Sequence, residues 1–293
     1  MNRRTFIRTT AMTSVALSQT ENLFALEAEN AFRKNIGIQL YTLRNELAKD
    51  PGGTLKQIAA DGYQQVEPFG FPNCDPLIKG AKEAGLQLNS THFEWDAVIN
   101  PKDTAMSDFA KIVEKAKDVG FSNLVIPYLV DGDRKTLDHY KKIAENANKA
   151  AAMAKAAGIQ LSYHNHNFEF QPMEGGKTGY DIFMAEFSPD MQFEIDVFWV
   201  KAAGIDPSAL IKKLSGRVSQ LHLKDLKEGI ATPSYVTSLP NDAFKELGNG
   251  IIPMEPILVA AKAAGVKHCH VEQDQSPDAL ASVKQSIAYL RKL

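Results

Sequence analysis

The sequence of 293 residues holds two cysteines, Cys74 and Cys269. That excludes a disulfide framework and a cysteine-rich zinc site, so any metal must be held by imidazoles and carboxylates. An excess of either charge is also absent, since 33 Lys and Arg face 35 Asp and Glu for a formal net charge of -2. The balance gives no electrostatic reason to expect nucleic acid or an anionic membrane as partner, and leaves a small polar ligand as the default. No apolar run reaches the roughly 18 residues that a spanning helix needs, so no stable membrane anchor is expected. A glycine-rich phosphate loop and the G-x-G-x-x-G dinucleotide fingerprint are both missing after the first strand-like run, which removes the main open-sheet reading. What is present is ordinary globular composition, 44% hydrophobic and 23% charged, with enough apolar material for a sizeable core.

Residues 1–30 read as an address label. Asn2-Arg3-Arg4-Thr5-Phe6-Ile7-Arg8 precedes a short, weakly apolar stretch from Thr9 to Leu17, and the pattern resembles a twin-arginine export signal. The alternative is a disordered basic tail. On the export reading the chain folds in the cytoplasm, acquires any metal there, and is delivered to the periplasm. Residues 31–293 then form a single domain.

From Asn35 onward one unit recurs: a short β-like run, a polar loop, an amphipathic helix, then small residues and a Gly. Gly62, Gly85, Gly120, Gly158, Gly216 and Gly265 mark the helix ends. Helical patterns run over 53–60, 75–84, 104–119, 135–157, 180–187, 207–214, 253–264 and 277–291. Strand patterns interleave at 36–41, 64–68, 87–92, 124–127, 159–164, 193–197, 218–223 and 268–272. Strict alternation demands parallel pairing, and eight units in one domain predict a closed α/β (β/α)8 TIM barrel.

Alternation within the strands says where the polar residues go. Gln160, Ser162, His164 and His166 share one face; Glu194 and Asp196 oppose Phe193, Ile195 and Val197; His222 and Lys224 oppose Leu221 and Leu223; His270 and Glu272 oppose Cys269 and Val271. In a barrel the apolar face meets the helices, so these polar groups line the interior near its C-terminal mouth. Six of the seven histidines fall on or just after strands, only His139 lying in a helix. One such imidazole reads as an ordinary hydrogen-bonded core residue. Imidazoles and carboxylates converging from four consecutive strands are costly to bury without a cation or a substrate.

The motifs Tyr163-His164-Asn165-His166-Asn167-Phe168-Glu169, Glu194-Ile195-Asp196-Val197-Phe198-Trp199, Leu221-His222-Leu223-Lys224-Asp225 and His270-Val271-Glu272 resemble those of the xylose isomerase-like TIM-barrel superfamily. That group includes sugar isomerases, ketose 3-epimerases, inosose isomerases and dehydratases, and endonuclease IV. The resemblance implies one divalent ion, Mn²⁺, Mg²⁺, Co²⁺ or Zn²⁺, held by ligands from strands five to eight. Asp196, His222 and Glu272 match three of them. His164 stands where the epimerases carry Glu, with His166 or Glu169 as alternatives.

The resemblance further implies that the ion chelates a carbonyl and a neighbouring hydroxyl and stabilises an enediolate. Glu272 is the first candidate base, with Glu169 or His166 on the other side and Lys224 as electrophile, unless Lys224 is a surface partner of Asp225. Gln39, Tyr41, Glu67, His92 and Glu94 come late in the early strands and are candidates to bind sugar hydroxyls. Trp199 and Trp95 are read either as stacking surfaces or as packing. The expected activity is a sugar isomerase or epimerase. The alternatives are a lyase acting on inosose or 3-keto-glycosides by β-elimination, and a carbohydrate-binding barrel without catalysis. The expected partner is a sugar or keto-sugar; superfamily relatives are frequently homo-oligomers. The 227–249 connection is read as a lid over the mouth or a contact with a neighbouring subunit.

Overall fold

The computed structural model describes residues 31–293; the expected export signal at 1–30 lies outside the described residues. Eight parallel strands, β1 Gly37–Gln39, β2 Gln65–Glu67, β3 Ser90–His92, β4 Asn123–Ile126, β5 Gln160–His164, β6 Met191–Asp196, β7 Val218–Leu223 and β8 His268–Val271, form the wall. The principal helices that follow them are α1 Pro51–Asp61, α2 Asp75–Glu83, α3 Ser107–Val119, α4 Leu137–Ala156, α5 Gly179–Glu186, α6 Pro207–Lys213, α7 Met254–Ala263 and α8 Ala279–Leu290. Hydrogen-bonded neighbours run β2-β1-β8-β7-β6-β5-β4-β3. The seam between β3 and β2 is made by isolated bridges at Gln65↔Gln87 and Phe71↔Phe93. Amide bonds from Val66 to Gln87 (3.0 Å) and from His92 to Pro68 (2.9 Å) hold it, so the (β/α)8 barrel is nearly closed.

Local chemistry explains the elements. Asp50 accepts the Gly53 amide at 2.8 Å with Pro51 opening α1, and Thr178 and Asp181 form a reciprocal capping box at α5. All six Gly residues expected at helix ends have positive φ. The outward faces of the strands are apolar and meet the helices. Tyr163 and Phe193 pack on Phe183 and Phe187 at ring separations of 4.6 and 5.5 Å. Full burial of such a ring contributes about 1.5–3 kcal/mol. Gly37 serves a different purpose: a Cβ there would lie 2.4 Å from His270 Cδ2 and 2.9 Å from the Cys269 carbonyl, so only glycine lets β1 close against β8 with His270 turned inward.

Differences from the sequence reading lie at the ends of elements and in the loops. β1 ends at Gln39 rather than Tyr41, because the Gln39 side chain accepts the Tyr41 amide at 3.1 Å and starts a 3-10 turn over Leu40–Leu43. Short helices at Arg44–Leu47, Asp96–Ile99 and Val197–Ala202 escape a pattern that needs several turns to register. The 227–249 connection begins and ends in a two-residue antiparallel ladder, Asp225–Leu226 with Phe244–Lys245. The Asp225 carboxylate accepts the amides of Leu226, Gly248, Gly250 and Ile252, which fixes the base of the loop. Its middle is pinned to the segment after β5, where Asn167 Nδ2 donates to the carbonyls of Ser234 at 3.0 Å and Val236 at 2.7 Å. Among the described residues no helix is long and apolar enough to cross a membrane.

Candidate metal centre

Strands β5 to β8 deliver four side chains to one point. His164 ends β5, Asp196 ends β6, His222 lies within β7, and Glu272 follows β8. One ligand-type atom from each lies within 4.8 Å of the others. Asp196 Oδ2 is 3.4 Å from His164 Nε2 and 4.0 Å from His222 Nδ1, and Glu272 Oε2 is 2.9 Å from His222 Nδ1. These four atoms are buried, and the two oxygens also face the Lys224 ammonium, Asp196 Oδ2 at 2.9 Å and Glu272 Oε2 at 2.7 Å. Two imidazole nitrogens and two carboxylate oxygens converging at this spacing make up a donor set of the kind a divalent ion accepts. The residues present therefore fit a single divalent ion. His164 is the residue that β5 contributes.

The fixed backbone explains why the ligands hold their positions. Asp196 Oδ1 caps the Val197–Ala202 helix by accepting the amides of Phe198 at 2.9 Å and Trp199 at 3.2 Å, which leaves Oδ2 to face the cluster. His164 Nδ1 is 3.2 Å from the Pro127 carbonyl, which places Nε2 toward the cluster. Burial raises the Asp196 carboxyl, yet the Lys224 ammonium and His164 outweigh it and leave the group below the usual carboxylate range. Burial likewise raises Glu272, and Lys224 and His222 reverse it. At His222 burial favours the neutral ring, but Glu194 and Glu272 hold its pKa well above the usual value. A divalent ion would compete with the proton at Nδ1, so binding must weaken as pH falls.

Lys224 is not a surface partner of Asp225. Its ammonium is buried, 2.7 Å from Glu272 Oε2, 2.9 Å from Asp196 Oδ2 and 3.1 Å from Asp274 Oδ2, and lies 5.6 Å from the Trp199 ring centre. Asp274 was not anticipated, although the alternation His270, Glu272, Asp274 carries it onto the same face. Burial pushes its carboxyl up to about 7 against the opposing pull of Lys224. Trp199 is buried, 5.1 Å from His166, and packs against Phe198 and Phe244. Its Nε1 has no hydrogen-bond partner among the described residues. His166 sits beside His164 at 5.0 Å and stacks on Phe168 at 5.3 Å, and burial keeps its ring neutral.

Glu169 is not brought to this cluster. Its two oxygens accept from the Tyr163 hydroxyl at 2.6 Å and the His166 amide at 2.9 Å, and Tyr163 points outward from β5. Glu169 thus braces the loop that carries His166. Burial lifts its carboxyl to about 7, the Tyr163 and amide bonds pulling the other way. An acid whose folded pKa exceeds its unfolded value loses stability as pH rises between the two, here from about 4.5 to about 7. Glu169→Gln is expected to remove that fall, worth on the order of 3 kcal/mol, so thermal melts of the variant and the parent should diverge above neutral pH with the variant higher.

Gln39, Glu67 and His92, expected to meet sugar hydroxyls, are bonded into a second group of buried polar residues that His222 meets through Nε2. Gln39 Nε2 donates to Glu67 Oε1 at 2.8 Å, and His92 Nε2 contacts Glu194 at 2.8 Å and Glu67 at 3.2 Å. Ser90 and Gln220 complete this group, and His270 lies in it with both ring nitrogens unpartnered among the described residues. Tyr41, by contrast, is exposed, edge-on to Phe69 and covered by the Arg44 guanidinium at 4.4 Å. Arg44 also donates to the Asp274 carbonyl at 2.8 Å, joining the loops after β1 and β8. Glu94 is exposed in a lateral cleft with Asp96, Lys102 and Lys115, and Trp95 packs edge-on to Tyr128.

Comparison with known proteins gives the family and the fold. The inosose dehydratase of Mesomycoplasma hyopneumoniae strain J is 26% identical over 265 residues, 82% of this chain and 87% of that protein. A Parabacteroides distasonis ATCC 8503 structure, described as a sugar phosphate isomerase/epimerase, superposes with a TM-score of 0.72 at 27% identity, covering 89% of this chain and 98% of that one. A Mycobacterium smegmatis barrel in complex with magnesium shares the fold, with a TM-score of 0.65 at 14% identity over 89% of this chain and 97% of its own. The xylose isomerase-like TIM barrel profile matches residues 54–293, and the chain belongs to that family.

Proposed function

We propose that this chain is a divalent-metal-dependent lyase that removes a proton α to the carbonyl of a keto-sugar or keto-cyclitol and expels the oxygen on the β-carbon. The observation that carries this reading is the make-up of the ligand set: Glu272 is one carboxylate near the mouth, and the β5 ligand is the imidazole of His164. Epimerisation by two carboxylates needs a proton-transfer group on each face of the substrate, whereas elimination needs one base and a way to protonate the leaving oxygen. The inosose dehydratases among the relatives support the same class of chemistry. When bound, the ion supplies Lewis-acid polarisation of the carbonyl.

The chain's own residues do the rest. Glu272 takes the α-proton. Lys224, held as an ammonium by three carboxylates, donates a hydrogen bond to developing negative charge. His166 and Trp199 wall the site beside His164. The C–H and C–O bonds break, C=C forms, and the proton that Glu272 took is passed to the departing oxygen, which leaves as water or as an alcohol. Export to the periplasm, where sugar phosphates are scarce, favours an unphosphorylated substrate. Incubation with inosose and with 3-keto-glycosides in deuterated water tests the reading. Release of water or aglycone with formation of an enone is expected. Deuterium incorporation with the β-oxygen retained would favour the isomerase or epimerase reading instead, and a protein that keeps no stoichiometric metal would favour a binding barrel.

A further inference from the structure

The imidazole of His222 faces two groups of residues, one through each nitrogen. Its Nδ1 is turned to Asp196 and Glu272, with Glu272 Oε2 at 2.9 Å. Its Nε2 is 2.8 Å from Glu67 Oε1, with hydrogen-bond geometry, and 3.1 Å from Glu194 Oε1. Both of those carboxylates are fully buried. With the ring neutral, one nitrogen carries the proton and the other the lone pair. Carboxylate oxygens face both nitrogens, so an ion held at Nδ1 among the other ligands leaves the proton to Nε2, where Glu67 and Glu194 accept it.

We infer that Glu67 and Glu194 are positioning residues for the metal centre: they fix the tautomer and plane of His222 and thereby set the affinity for the divalent ion. The inference rests on the metal reading of His164, Asp196, His222 and Glu272. The carboxylates are themselves anchored. Gln39 donates to Glu67 Oε1, Gln220 donates to Glu67 Oε2 at 2.5 Å and also to Glu194, and His92 bridges the pair. Hydrogen bonds therefore already occupy both acids, although Glu67, Glu194, His222 and His270 also bring ligand-type atoms within 4.8 Å of one another, so that a second equivalent of ion is the alternative to exclude. A carboxylate behind a metal-bound imidazole raises the basicity of the ligand and restricts its rotation, and losing it typically costs 10- to 100-fold in metal affinity.

The test uses the full chain stripped with a chelator and titrated with Mn²⁺, followed by electron paramagnetic resonance of the free ion. The unaltered chain is expected to bind one equivalent. Glu67→Gln, which keeps the shape and one acceptor oxygen, is expected to bind Mn²⁺ 10- to 100-fold more weakly, with circular dichroism of the metal-free variant showing that it remains folded. Glu194→Gln provides the same comparison should Glu67→Gln fold poorly. Nitrogen-15 spectra of the histidine rings should place the His222 proton on Nε2 in the zinc-loaded parent. Unchanged Mn²⁺ affinity in both variants overturns the inference. So does a second equivalent in the parent that Glu67→Gln loses, since this second group would then be a cation site itself. A parent that binds no Mn²⁺ overturns the metal reading and this inference with it, an outcome distinct from either.

Discussion

Glu272→Gln is expected to suppress α-proton exchange by about 10²- to 10⁴-fold, the range typical for loss of a positioned general base. Gln preserves the size of the side chain and one oxygen, so the change isolates charge and basicity. The position suits the role, because Glu272 follows β8 at the mouth with 6% of its surface exposed, the most of the four ligand residues. Its Oε2 lies 2.7 Å from Lys224 Nζ and 2.9 Å from His222 Nδ1, a cationic setting that keeps the carboxylate ionised at neutral pH. Exchange should be followed by proton NMR in deuterated water at saturating Mn²⁺, with bound metal measured in parallel. Exchange within tenfold of the parent, with metal retained, would remove Glu272 from the role of base and leave it a ligand alone.

Much of this site was legible because a barrel strand has a period of two and a fixed inside. Once Leu221 and Leu223 are assigned to the helices, His222 and Lys224 must point inward, and the same parity places Glu194, Asp196, His270 and Glu272. Parity gives a face but not a depth. Gln39, Glu67 and His92 end their strands as candidates for the mouth should, yet they are absorbed into the network that His222 meets through Nε2. Glu169 fails for a different reason. The chain turns at Asn165 and Asn167, where Asn165 bonds to the backbone of Asp196 and Asn167 to the long β7–α7 connection, so alternation no longer holds beyond His164. Asp274 lies beyond the assured reach of this parity, because the strand ends at Val271.

Lys224→Met should separate the electrostatics of the site from its chemistry. The ammonium is enclosed by Asp196, Glu272 and Asp274 at 2.7–3.1 Å, with 3% of its side chain exposed. Its removal leaves three carboxyl groups facing one another in a buried space. Breaking such a group by deleting one partner typically costs about 3–5 kcal/mol, or several degrees in melting temperature for a domain of this size. The cost depends on pH in a definite direction. Asp274, already lifted to about 7 by burial, rises further without the ammonium, while Asp196 and Glu272 lose the charge that holds them below the usual carboxylate range, so all three are displaced upward from where the parent holds them. The folded variant therefore binds more protons than the folded parent, so its stability falls relative to the parent as pH rises through that window and the penalty is largest above neutrality. A divalent ion restores positive charge between Asp196 and Glu272, so Mn²⁺ should recover much of the lost stability while turnover stays depressed by about 10²- to 10³-fold, the range for losing one donor to a developing negative charge. Thermal melts at acid and alkaline pH, each with and without Mn²⁺, read all three effects. A metal-free variant as stable as its parent above neutral pH would mean that the ammonium does not balance these acids.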